Sequence, residues 1–323
     1  MQQRKRLTTV AINSPAAPEP HFSFTGHETF VFRYAWLTKA VEAVQADPEI
    51  FVRDDAIVRL GVGKNMVRSI RHWGLATGVL QEEPKSRGTL LSVSEFGRFL
   101  LGSEGRDRYL EDQATLWLLH WQLISNRTRC STWRWAFSAM PSNEFTRATL
   151  QDALIEAARR SGDKLPSESS VRRDVEVFVR TYVPSRFSSG GVPEESLDCP
   201  LVELELLEES NSLVRFVRGP KDTLPDEVFA FAVADFWEAA AATRETLSFS
   251  DLSYGMGAPG GAFKLDENSL VERLERLERV TAGALVYADT AGMKQLYRRA
   301  ARRPIYYLEN MSRSSATPAL IGV

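Results

Sequence analysis

Apolar positions recur every three or four residues over several stretches, predicting amphipathic helices, while Gly, Pro and polar clusters between them predict turns and short hairpins. The clearest case runs from Arg53 to Leu101. Ala56, Ile57 and Leu60 form the apolar face of a first helix, which Asp54 or Asp55 can cap. Gly61 ends that helix in a left-handed conformation, and Gly63 is expected to let the next helix approach closely. Met66, Val67, Ile70 and Trp73 supply the core face of a second helix. Val79–Glu83 and Thr89–Ser92 can then pair across Pro84–Gly88, and Ser94 caps a closing helix, Glu95–Leu101. Helix, turn, helix, hairpin, helix is the order of a winged helix-turn-helix.

Further along, helices are predicted over Thr146–Arg160, Ser167–Val183, Asp226–Thr243 and Asn268–Val280, the last with Leu270, Leu274 and Leu277 on one face. Leu201–Leu207 and Leu213–Arg218 read as a hairpin, Tyr254–Gly261 as a Gly/Pro-rich loop, Ala284–Ala288 as a strand and Met293–Arg303 as a basic segment. The predicted fold is mainly α with small β-hairpins (α+β), an N-terminal winged helix-turn-helix followed by further winged-helix-like modules. The expected organisation is a flexible tail over 1–21, a DNA-binding winged helix over 22–105, a middle helical module with a hairpin over 106–220, and a C-terminal winged-helix-like module over 221–323.

Composition narrows the function classes. The 323 residues are 43% apolar and 25% charged, as in ordinary globular proteins. No apolar run is long enough for a membrane span, since Val228–Ala242 is interrupted by Asp235 and Glu238. The basic start of the chain, Arg4 to Arg6, is followed by Thr and Ala/Pro-rich sequence where a signal peptide needs an apolar core. Cys130 and Cys199 are the only cysteines and are expected to be thiols, which suits the cytoplasm. A formal charge of −2 excludes a protein that coats nucleic acid indiscriminately, so contact with DNA must be local.

That local surface is expected on the second helix. Lys64, Asn65, Arg68, Ser69, Arg71 and His72 are left for its outer face, and no acidic residue lies between Leu60 and Leu80. Arg reads guanine edges or phosphates, Asn pairs with adenine, and Ser and Lys suit phosphate oxygens. Lys85 and Arg87 at the wing meet adjacent phosphates in the same reading. Docking of another protein on the same helix is the competing reading.

Phe24–Leu37 (FTGHETFVFRYAWL) and Asp54–Val67 (DDAIVRLGVGKNMV), with Phe263–Glu267 and Asp289–Met293 near the C-terminus, resemble the SspB-like family over most of the chain from about Phe22. The family carries a domain of unknown function and accompanies bacterial DNA phosphorothioation genes. The resemblance implies a role in single-stranded replacement of a phosphate oxygen by sulfur in an anti-phage system, with SspB as the DNA-nicking component. It also implies as partners double-stranded DNA, a cysteine desulfurase, an ATPase and a sulfurtransferase resembling phosphosulfate reductases. It assigns no catalytic residues here, and the oligomeric state stays open, a homodimer included.

Cutting a phosphodiester calls for carboxylates or His holding a divalent metal, or a base for the nucleophile. His27 and Glu28, near Arg33 and Tyr34, are the densest candidates, with Asp54 and Asp55 as a second pair and Mg²⁺ or Mn²⁺ as the cofactor. The structural reading of His27 and Glu28 is a hydrogen-bonded pair fixing the aromatic segment, and that of Asp54 and Asp55 is helix capping. Val31 stands where a zinc-protease motif needs its second His, and Leu60–Asn65 lacks the spacing and hydroxyl of a phosphate loop, so no nucleotide cofactor is expected. Trp117, Trp121, Trp133 and Trp135 are spaced for core packing rather than base stacking. Arg298, Arg299, Arg302 and Arg303 form either a solvated helix face or a second phosphate contact. Two readings therefore stand side by side: a metal-dependent nickase, and a non-catalytic adaptor or transcription regulator that binds DNA without cutting it.

Overall fold

A computed structural model describes residues 22–162, 165–185, 198–309 and 311. The expected tail over 1–21 lies outside the described residues.

In the first part of the chain α1 (Tyr34–Ala46) precedes α2 (Ala56–Leu60), α3 (Lys64–Ala76), the hairpin β1 (Leu80–Glu82) and β2 (Leu91–Val93), and α4 (Glu95–Leu101). The boundary chemistry follows the sequence. Gly61 closes α2 at φ 64°, and Ser94 Oγ accepts the Gly97 N–H at 2.8 Å to start α4. Two details differ. Asp55 occupies the N-cap of α2 but its side chain makes no capping bond, and a Cβ on Gly63 would meet nothing within 4 Å, so close approach is not what that glycine serves. Ile57, expected in the core, is 42% exposed because this five-residue helix covers the core only through Ala56 and Leu60.

The middle part contains α5 (Gln113–Ser125), α6 (Ser131–Ala139), β3 (Glu144–Phe145), α7 (Arg147–Arg160), α8 (Glu168–Tyr182), β4 (Leu207–Ser210) and β5 (Leu213–Phe216). The expected strand Leu201–Leu207 is mostly a 3-10 turn, Pro200–Leu204. Pro200 lacks the N–H a ladder needs, and the three-residue period lets Leu201 and Leu204 bury together. The last part contains α9 (Asp226–Ala241), β6 (Thr246–Ser248), α10 (Phe249–Tyr254), α11 (Pro259–Ala262), α12 (Glu267–Val280), β7 (Leu285–Thr290), β8 (Met293–Arg298) and α13 (Tyr306–Glu309). Within the Gly/Pro-rich stretch expected as loop, Pro259 opens α11, where its fixed φ suits the first helical turn. The basic segment after Met293 begins as a strand. Ala291 and Gly292 between β7 and β8, and Asn211 and Ser212 between β4 and β5, have positive φ at both central positions, the two-residue turn that matches strand twist.

The two three-stranded sheets have the same antiparallel order, β3-β5-β4 and β6-β8-β7, with the strand that precedes the helices placed against the far arm of the hairpin. In the first part a single bond from Leu91 N–H to Pro48 O stands in that place. The fold is thus mainly α with small antiparallel sheets, and one element order, helix, helix, hairpin, recurs three times. Buried side chains from all three parts form one continuous core in which Trp73, Trp117, Trp121, Trp133 and Trp237 are fully enclosed. The indole N–H of Trp117 donates to Thr223 Oγ1 and that of Trp121 to Asp235, tying α5 to the last part of the chain. No helix among the described residues is long and apolar enough to cross a membrane.

Candidate nucleic-acid interface

α3 is held from two sides. The segment preceding α1 lies over it: Ser69 Oγ–H donates to His27 O at 2.9 Å, and the Trp73 indole donates to Phe30 O at 3.0 Å. The Thr29 N–H points at His27 Nδ1 at 3.1 Å, so that nitrogen is an acceptor and Nε2 carries the proton, donated to Asp174 Oδ1 of α8 at 2.7 Å. Gly26 has φ +112°, and a Cβ there would come within 2.3 Å of His72 Nδ1. Glu28 and Thr29 also have positive φ, so a constrained loop is clamped by a buried histidine.

This clamp corrects the outer face drawn from sequence. Ser69 is completely buried, and His72 is buried at 4% exposure. Burial, reinforced by His27, Arg129 and Arg71 nearby, lowers the His72 pKa to about 3, which keeps the ring neutral and unsuited to a phosphate. Lys64, Asn65 and Arg68 do face solvent. Arg71 is half-buried and braces the wing, donating to Gly88 O at 2.9 Å and Glu82 Oε1 at 3.2 Å. Lys85 and Arg87 are exposed at the tip of the wing, both with positive φ.

The absence of acids between Leu60 and Leu80 does not leave the face uncompensated. Glu28 approaches Arg68 to 3.7 Å from the preceding loop, and Glu82 of the wing binds both Arg71 and Arg129. Exposed pairs of this sort contribute little and break easily when a stronger anion arrives. Lys64, Lys85 and Arg87 have no carboxylate partner among the described residues. The first turn of α3 also lacks a side-chain cap, leaving N–H groups and the positive helix end free for an anion. Arg129, in the loop between α5 and α6, was missed; its signal is the acid-free run Asn126–Arg129 between two Trp-rich helices.

The four residues considered for catalysis are not joined by any hydrogen bond or ion pair linking Asp54 or Asp55 to His27 or Glu28 among the described residues. His27 has both ring nitrogens engaged, and its partner is Asp174 rather than Glu28, so it fixes the aromatic segment by a contact distant in sequence. Asp54 and Asp55 are exposed ahead of α2. Among the described residues no group of three or more His, Cys, Asp or Glu is arranged to hold a metal ion. Three of the four C-terminal arginines make contacts within the fold, and the cluster lies at and beyond the end of β8 rather than on a helix face: Arg298 donates to Ala242 O and Arg244 O beside Trp237, Arg302 lies over Tyr306, and Arg303 pairs with Glu95, while Arg299 is exposed. Cys130 and Cys199 are buried free thiols whose pKa values burial raises.

A family model described as a protein of unknown function (DUF4007) matches residues 24–310. Two solved structures are similar, a crystal structure of SspB and one of SspB with bound magnesium ion. Each is 34% identical with a TM-score of 0.82, the match covering 90% of this chain and 88% of theirs. No curated protein matches. The chain belongs to the SspB-like family, described as DUF4007.

Proposed function

We propose that this chain is the duplex-DNA-binding component of an Ssp-type DNA phosphorothioation system, holding DNA on the start of α3 and the wing. The observation that carries the reading is the cationic rim made by Lys64, Arg68, Lys85 and Arg87 around an uncapped helix start, in a chain with net charge −2. Four such contacts give a log–log salt slope of about −3 to −4. In this reading Lys64 and the first-turn N–H groups take a phosphate, Asn65 and Arg68 face base edges or the backbone, and the wing grips the neighbouring strand. The sulfur-transfer partners are a cysteine desulfurase, an ATPase and a phosphosulfate-reductase-like sulfurtransferase.

Strand nicking is a second reading, favoured by the magnesium ion bound in a similar SspB structure. The residues fit it less well. No preformed set of ligands stands among the described residues, and His27, which lies against α3, is enclosed and has both ring nitrogens bonded. DNA binding is therefore what the geometry supports best. Supercoiled plasmid incubated with the protein and Mg²⁺ or Mn²⁺, beside an EDTA control, separates the two: retarded but closed plasmid is expected for binding alone, and metal-dependent open circles would establish cutting.

A further inference from the structure

The recurring element order makes α3, α8 and α12 equivalent: each is the helix that leads into a hairpin. Their exposed faces differ in charge. α12 shows Glu267, Glu272, Glu275 and Glu278, and its Arg273, Arg276 and Arg279 all lean on Asp226. α8 shows Arg172, Arg173 and Arg180, none with a carboxylate partner among the described residues; of its two exposed acids, Glu168 lies in the first turn and Glu176 is taken by Arg147 at 2.9 Å. Among the described residues Arg173 bonds through its Nε alone, to Ser169 O, with no acceptor on the outer guanidinium nitrogens.

The placement of α8 gives that charge a use. One residue, His27, joins the two helices: its carbonyl accepts from Ser69 of α3 and its Nε2 donates to Asp174 of α8. The residues immediately before these two anchors are Arg68 and Arg173, both exposed. At the other end of α8, Arg180 lines a cleft of about 300 Å³ with Ser185, with Arg147 and Glu209, which pair with each other, and with Asn211 and Ser212 of the hairpin tip. The β4–β5 hairpin follows α8 as the wing follows α3.

We propose that α8 is a second DNA-contacting helix, its Arg172, Arg173 and Arg180 extending the cationic face of α3 across the His27 loop onto further phosphates of the same duplex. The proposal rests on the reading of α3 as a DNA-binding helix. It excludes α12, whose acidic face would repel a phosphate backbone. His27 is then a positioning residue that sets one basic helix against the other.

The test is the salt dependence of binding to a labelled duplex of about 30 base pairs, roughly three helical turns. Wild-type chain is compared with Arg172→Ala/Arg173→Ala/Arg180→Ala, with Lys64→Ala/Arg68→Ala, and with Arg276→Ala/Arg279→Ala as a control on α12. Each lost phosphate contact lowers the log–log slope by about 0.9, so the α8 variant is expected to lose about 2 to 3 and the control nothing. The three α8 side chains are exposed, and unchanged thermal unfolding of that variant shows that the loss is not misfolding. An α8 variant with the wild-type slope, alongside a Lys64/Arg68 variant with a reduced one, overturns the second surface and leaves the first intact. A wild-type chain without salt-dependent binding overturns both.

Discussion

Replacing His27 by Ala removes the only side-chain hydrogen-bond partner that a buried carboxylate has among the described residues. Asp174 is 2% exposed, its Oδ1 accepts from His27 Nε2, and its Oδ2 has no hydrogen-bond partner among the described residues. Breaking a buried pair from one side costs about 3 to 5 kcal/mol, because the remaining group stays enclosed without compensation. Some of that returns as the loop relaxes, since Glu28 and Thr29 hold left-handed conformations at φ 49° and 69° that cost about 1 to 3 kcal/mol each. A net loss of about 3 kcal/mol is expected, a large share of a typical domain's stability. Asp174→Ala should cost a similar amount, and the double variant much less than the sum, with a coupling of about 2 to 3 kcal/mol. Urea unfolding of the wild type, both single variants and the double variant measures that coupling. Additivity within about 0.5 kcal/mol would refute the clamp.

Other outcomes follow from the same geometry. Gly26→Ala places a Cβ 2.3 Å from His72 Nδ1 at φ +112°, so a lower melting temperature and new protease sensitivity between Phe24 and Phe32 are expected; an unchanged melt would contradict the close approach. Arg71→Ala frees the wing from α3, and limited proteolysis should then cut within Pro84–Gly88 faster than in the wild type, with little change in global stability. Lys264 is buried over Phe216, and burial, with Arg218 adding to it, lowers its pKa from 10.5 to about 7. The folded chain then sheds this proton before the unfolded chain does, so stability rises with pH between about 7 and 10.5. The bond to Phe137 O and the ring contacts favour the charged form, which makes about 2 kcal/mol an upper limit for the gain from pH 7 to 9. Lys264→Met should remove that gain in denaturant titrations at the two pH values, and an undiminished gain would show that it arises elsewhere.

Much of the first part of the chain was legible because its signals are local. Gly61, Ser94 and the apolar spacing Val67, Ile70, Trp73 each act within one or two turns, and they placed α2, α3, the wing and α4 within a few residues. Ser69 and His72 were misplaced for the opposite reason. Helical periodicity identifies one apolar stripe, but α3 is covered on a second side by the segment around His27, through polar contacts that leave no hydrophobic trace. Charge compensation escaped in the same way, since Glu28 and Glu82 reach the helix from outside the acid-free window. The third strand of each later sheet was hidden because Glu144–Phe145 and Thr246–Ser248 are too short to show alternation. The contact between His27 and Asp174 spans 147 positions, and nothing local in either segment announces it.

The central claim is that duplex DNA lies on Lys64, Arg68, Lys85 and Arg87. Fluorescence anisotropy of a labelled duplex, titrated at several salt concentrations with the wild type and with all four replaced by Ala, tests it most directly. A log–log slope reduced by about 3 to 4, with unfolding unchanged, is the predicted result; a quadruple variant that keeps the wild-type affinity and slope would contradict the account.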